Sequence, residues 1–154
     1  MADELLPGVL SGRFVRVVAS AEVRSAASLT AVALFIENRA KQNASSGAHS
    51  YGSHTASSPG SGPSVISGDL RRSITHTPVT PVGDDLQTRV GPASTPHTDY
   101  GHGHRSTTSG KIGLYLETGD HGVTYPFLKP AFDEAVGANA GIWLSTFASG
   151  GSWT

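Results

Sequence analysis

The stretch that most restricts what this chain can fold into runs from Ile112 to Val136, IGLYLETGDHGVTYPFLKPAFDEAV. Ile112, Leu114 and Leu116 alternate with Gly113, Tyr115 and Glu117, the period-two pattern that predicts a half-buried strand. Thr118-Gly119-Asp120-His121-Gly122 ends it, the two glycines supplying positive φ where a reversal needs it. Tyr125-Pro126-Phe127-Leu128 then returns to the apolar interior. Pro130 suits the first turn of a helix, where its missing N–H costs nothing, and residues 131–136 continue that helix. Glu117, at the end of the strand, is placed to accept hydrogen bonds from N–H groups of the turn. Strand, turn, aromatic anchor and helix make a docking element, and nothing in them specifies catalysis.

Upstream, residues 1–12 read as a poorly ordered lead, since Pro7-Gly8 interrupts the first apolar residues. Phe14 to Val18 is short and β-branched, a strand or an early helical turn. A helix is predicted over 20–42, with Ser20 as N-cap and Glu22 near the positive end of the dipole. Leu29, Val32, Ala33, Ile36 and Ala40 recur at helical spacing, and the alanines on that face permit close approach of a neighbour. Residues 43–64 are Ser- and Gly-rich without apolar periodicity, a flexible loop. Leu70 to Thr77 reads as a strand, or as a short helical turn leading into one. Residues 78–85 make a turn-rich hairpin connection, and Leu86 to Val90 a strand closed by Gly91-Pro92. A second polar loop spans 92–110. In the tail, Trp143 and Phe147 are spaced to share a helix face, as a core cap or a subunit contact, while Gly137 and Gly141 predict a break before them.

These elements define an α+β domain: a long N-terminal helix and a C-terminal helix packed on a small, mainly antiparallel sheet, with two long polar loops. The 154 residues are one domain's worth. Apolar content of 37 % is thin for a compact monomer and points to burial shared with neighbouring subunits. A formal charge of −1 lacks the basic excess of a dedicated nucleic-acid binder, though DNA could slide past such a surface. With no cysteine there is neither a disulfide framework nor a thiolate site. No signal-peptide pattern is present and no uninterrupted apolar run reaches ~18 residues, so a soluble protein made in the cytoplasm is expected, without a membrane partner.

Four features raise the question of chemistry. His97, Asp99, His102 and His104 lie in the second polar loop, and His-x-His on an extended segment puts two imidazoles on one side, as metal ligands require. The segment lacks an element to preorganise them, so a solvated loop is the competing reading. Arg71 and Arg72, an adjacent basic pair, could meet DNA phosphate or an acidic neighbour, against a solvated turn with a surface ion pair. Ser109-Gly110-Lys111 resembles the end of a phosphate-binding loop, but Arg105 stands where the first glycine belongs and Ile112 where the magnesium hydroxyl belongs. Asp84-Asp85 and Asp133-Glu134 are adjacent pairs whose side chains diverge.

Tyr115, Leu116, Glu117, Gly119, Pro126, Phe127, Leu128, Pro130 and Ala131 form a pattern similar to the signature of phage neck proteins. These are the head–tail connector or tail-completion proteins of lambda-like, long-tailed bacteriophages. A second block, Ala40-Lys41 followed by Gly68, Leu70, Arg71, Ser73 and Ile74, resembles that family too, as does Val90-Gly91. Order and approximate spacing match over residues ~20–137. The loops 43–64 and 92–110 are longer than the family's connections. The resemblance implies a structural virion protein, not an enzyme and without a cofactor. It would form a homo-oligomeric ring between the capsid connector and the tail tube, contact adjoining connector and tail-terminator or tail-tube proteins, and let DNA pass through its lumen. Tyr115, Glu117, Gly119, Pro126, Phe127, Leu128, Pro130 and Trp143 are then the packing or interface anchors. A tail-terminator ring is the alternative within that class. A small metal-dependent hydrolase using His102 and His104, with His97 as a further ligand, is the alternative outside it.

Overall fold

The computed structural model describes residues 7–46, 58–63, 65, 68–94, 108–119 and 122–149. Helix α1 (Pro7–Asn43) is followed by a short helix α2 (Asp69–Ser73), then strands β1 (Ile74–His76), β2 (Thr80–Val82), β3 (Asp85–Gln87) and β4 (Val90–Pro92). Helices α3 (Ser109–Thr118) and α4 (Leu128–Ser149) complete the order. The architecture is α+β, with long N- and C-terminal helices and a small antiparallel set of strands.

Helices α1 and α4 run antiparallel. Asn43 Nδ2 donates to the Phe127 carbonyl at 3.0 Å, Arg39 pairs with Glu134, and Ser28 Oγ donates to the Trp143 carbonyl at 3.3 Å. The contact is made of small side chains: Ala33 and Ala40 of α1, Ala44 just past its end, and Ala131 and Ala135 of α4 are all buried. Alanine at those positions lets two helices approach closely with little side-chain entropy to lose. Ile36, Ile74 and Phe127 fill the centre, and Phe127 is 0 % exposed. Ser45 Oγ donates to the Lys41 carbonyl at 2.9 Å and Ala44 N–H to Ala40 at 2.8 Å, satisfying acceptors that the end of α1 leaves open.

Residues 74–92 form one long antiparallel excursion in two ladders. Ile74 faces Pro92, Thr75 faces Gly91 and His76 faces Val90; further out, Thr80 faces Gln87 and Val82 faces Asp85. Pro78 cannot donate to a ladder, which accounts for the interruption. Thr77 holds the break together: its N–H donates to Arg89 O at 2.9 Å, and its hydroxyl accepts from Arg89 N–H at 3.0 Å.

Several expectations change. The residues from Ile112 to Glu117 are helical, not a strand: Thr108 caps α3 by accepting from Lys111 N–H, and Gly119 closes it at φ 77°. Ile112, Gly113 and Leu116 turn inward while Leu114 and Tyr115 are exposed, a helical division of the same apolar residues. Helix α1 begins at Pro7, not Ser20, so residues 7–12 are not a lead and Phe14–Val18 takes the helical of its two readings; residues 1–6 lie outside the described set. Pro7 starts the helix because its absent N–H falls among donors that a first turn leaves unpaired. Leu86–Val90 is not one strand but parts of β3 and β4. Gly137 and Gly141 sit inside α4, which runs unbroken to Ser149, so residues 138–149 are helix rather than tail.

Candidate functional site

The densest arrangement of sequence-signalled residues is the junction of α3, the 119–127 connection and the start of α4. Gly113 permits it. A Cβ there would lie 2.5 Å from Pro92 Cγ and 3.4 Å from Phe127 Cζ, so α3 meets β4 and the Phe127 ring through bare backbone. Gly119 then turns the chain, its N–H donating to Tyr115 O at 2.9 Å, and Gly122 follows at φ 82°. Asp120 and His121 of this turn lie outside the described residues. Tyr125 N–H returns to Leu116 O at 2.7 Å.

Glu117 closes the junction. One carboxylate oxygen accepts from Phe127 N–H at 2.8 Å and from Leu128 N–H, and both oxygens draw Lys129 N–H at 3.4 Å. Three amides at the start of α4 would otherwise lack acceptors, and a carboxylate there also opposes the positive end of the helix dipole. The carboxylate therefore caps a helix from ten residues upstream in sequence and is committed to that role.

The other anchors divide. Phe127 is fully buried, Leu128 and Pro126 are half-buried, and Pro130 lies exposed in the first turn of α4. Tyr115 is exposed on α3 beside Leu114. Trp143 sits far from the junction, stacked on Phe147 with ring centroids 4.6 Å apart. Arg71 is exposed, and Arg72 pairs with Asp69 one turn away on α2. His97, Asp99, His102 and His104 lie outside the described residues; among the described residues no three His, Asp or Glu side chains cluster as metal ligands.

Two features escape the motif-based reading. The first is a charge cluster joining α1 to β1: Glu37 receives Lys41 Nζ at 2.5 Å on one oxygen and meets His76 Nδ1 at 2.5 Å on the other. Burial acts to raise the Glu37 pKa, but the hydrogen bonds from Lys41 and His76 outweigh it and hold the carboxyl below its ordinary value of 4.5. The i,i+4 spacing of Glu37 and Lys41 was a visible signal; the arrival of His76 was not.

The second is an open apolar groove of about 680 Å³ along the α1–α4 pair. Leu29, Val32, Ala33 and Ile36 form its α1 wall, Thr88 and Val90 one flank. On α4, Leu128, Phe132, Val136 and Asn139 line it, and among the described residues its only charged lining is Glu117 and Lys129. Lys129 Nζ is paired with Asp133 at 2.6 Å. Phe132 and Val136 are 55 % and 60 % exposed, large apolar side chains left on one stripe with Asn139 and Trp143. Comparison with protein-family models, curated proteins and solved structures returns no match to this chain.

Proposed function

We propose that this chain is a structural protein of the phage neck. It forms a homo-oligomeric ring that joins the capsid connector to the tail tube, with DNA passing through the lumen. The observation that carries the reading is the convergence of the motif residues. Glu117, Gly119, Phe127 and Leu128, which bear the sequence resemblance, build one cap-and-anchor junction. That gives the motif a purely structural use, as an assembly protein would need, and leaves its one carboxylate occupied. An apolar groove and exposed Leu114 and Tyr115 add surface suited to protein neighbours rather than to a small polar substrate. In this reading the adjoining connector and tail-terminator or tail-tube proteins are the partners, and Arg71 is available to DNA phosphate or an acidic neighbour.

The test is genetic. Removing the gene from the phage that encodes it should yield DNA-filled heads and finished tails that do not join, seen by electron microscopy, with joining restored by added protein. Tails of irregular length would point instead to a terminator ring, and normal virions would sink the neck reading.

A further inference from the structure

Residues 43–64 read as a flexible loop in the sequence, yet residues 58–63 lie across the body of the chain. Ser58 to Ser61 form a tight turn in which Ser61 N–H and Ser61 Oγ donate to the Ser58 carbonyl, at 3.1 and 2.6 Å. Pro59 and Gly60 occupy its two central positions, and Gly60 supplies the positive φ, 81°, that a type II turn needs. Gly60 N–H then donates to the Thr124 carbonyl at 3.0 Å, in the connection between α3 and α4. Gly62 packs on the end of α1, where a Cβ would lie 2.2 Å from both the Asn43 carbonyl oxygen and Ser46 Oγ. Pro63 is buried.

The groups under this turn also fix the start of α4. Tyr125 N–H, next to Thr124, donates to Leu116 O at 2.7 Å, and Asn43 Nδ2 donates to the Phe127 carbonyl at 3.0 Å. Ser46 donates to the Asn43 carbonyl through N–H and Oγ, at 3.2 and 2.7 Å, so that carbonyl cannot give way to a side chain at position 62. Three elements therefore hold the 122–127 connection: α3 through Leu116 and Glu117, α1 through Asn43, and the 58–63 turn through Gly60. The turn is the lightest of the three. Ser58, Pro59, Gly60 and Thr124 are exposed, so the bond from Gly60 to Thr124 is open to water, the profile of a segment that opens ahead of the core.

We propose that residues 58–63 are a strap that opens and closes on the junction while the rest of the fold stays intact. Closed, it holds Thr124 and backs Asn43, keeping Phe127 and Leu128 where the Glu117 carboxylate caps them. Open, it releases Thr124 and loosens that cap, but not the body of α4, which Ala131 and Ala135 pack onto α1. The coupling runs both ways. A neighbouring protein that covers Ser58 to Gly60 as they stand steadies the start of α4, and one that draws them away frees it. The strap rests on its own contacts and is independent of the neck reading.

Amide hydrogen exchange on the full chain tests it, with Gly62→Ala to lift the strap and Pro59→Ala to relax its turn. In the wild type the Gly60, Phe127 and Leu128 amides should all be protected. Gly62→Ala should speed exchange at Gly60 at least about tenfold, and at Phe127 and Leu128 by less, while Ile36 and Ala135 keep wild-type rates. Pro59→Ala, which adds no atoms to the contact, should move the same three amides to a smaller extent. A wild-type Gly60 amide that exchanges at the rate of an unstructured peptide would overturn the strap. So would a Gly62→Ala chain in which Phe127 and Leu128 keep wild-type rates, since the junction would then be indifferent to it. If Gly62→Ala also accelerates Ile36 and Ala135, Pro59→Ala decides: the strap stands only if the three amides move without those two. None of these readouts involves the phage, so the strap and the neck reading fail separately.

Discussion

At the residue scale, Glu117 concentrates more structural consequence than any other polar side chain near the motif. It is the acceptor for the first amides of α4, and α4 is half of the two-helix layer. Glu117→Ala should lower stability by about 1–2 kcal/mol, the range for loss of a helix cap, read as a reduced urea midpoint with unchanged slope. Glu117→Gln keeps one carbonyl acceptor but loses the charge at the dipole, and should fall between. If instead the carboxylate served catalysis, its removal would leave stability unchanged. Gly113 makes the complementary point about space. An alanine methyl would sit 2.5 Å from Pro92 Cγ, a ring atom held in β4, so Gly113→Ala should cost about 1–3 kcal/mol despite its better helix propensity.

At the scale of elements, the helix that was expected from periodicity is present and longer than its apolar repeat implied. Residues 29–40 announced α1 because their apolar side chains recur every three or four positions, whereas over Pro7 to Ala19 the Pro7-Gly8 pair and the β-branched Val15, Val17 and Val18 obscured the helical spacing of Leu10, Phe14 and Val17. The strand expected over Ile112–Glu117 failed for a physical reason. Six residues accommodate both periods, and the deciding information lay at the ends, in Thr108 and Gly119. Glu117 as a hydrogen-bond acceptor was legible, but its donors were not: they are the amides of Phe127, Leu128 and Lys129 rather than those of the Gly turn; nor was the groove, because it arises from α1 and α4 meeting far apart in sequence. Gly137 and Gly141 misled because glycine lowers helix propensity without forbidding a helix that tertiary contacts hold. Here a Cβ at Gly137 would meet nothing within 4 Å. Gly137→Ala should therefore stabilise the chain by about 0.5–1 kcal/mol, seen as a raised thermal midpoint.

At the scale of the whole molecule, the helical layer and the base of the strand excursion share one core through Ile74, and polar ties between them add to that contact. Glu37 is one such tie, reaching from α1 to His76 on β1 while paired with Lys41 on its own helix. Its folded pKa is depressed below the ordinary 4.5 by the hydrogen bonds from Lys41 and His76, against the opposing effect of burial. A depressed carboxyl binds fewer protons folded than unfolded, so its stabilisation is fully present above the unfolded pKa and disappears as pH falls through the folded value. Glu134 adds to the same trend, its pKa lowered by the hydrogen bond from Arg39, though its exposure to solvent screens that pair. Stability should accordingly fall as pH is lowered below about 4.5, and the slope should be smaller in Glu37→Gln. That variant should also be less stable at neutral pH, because Lys41 and His76 lose their shared anion. Urea titrations of both chains at several pH values measure this directly: curves that stay parallel across the acid range would remove Glu37 as the source, while convergence at low pH would locate the acid sensitivity at the joint between α1 and β1.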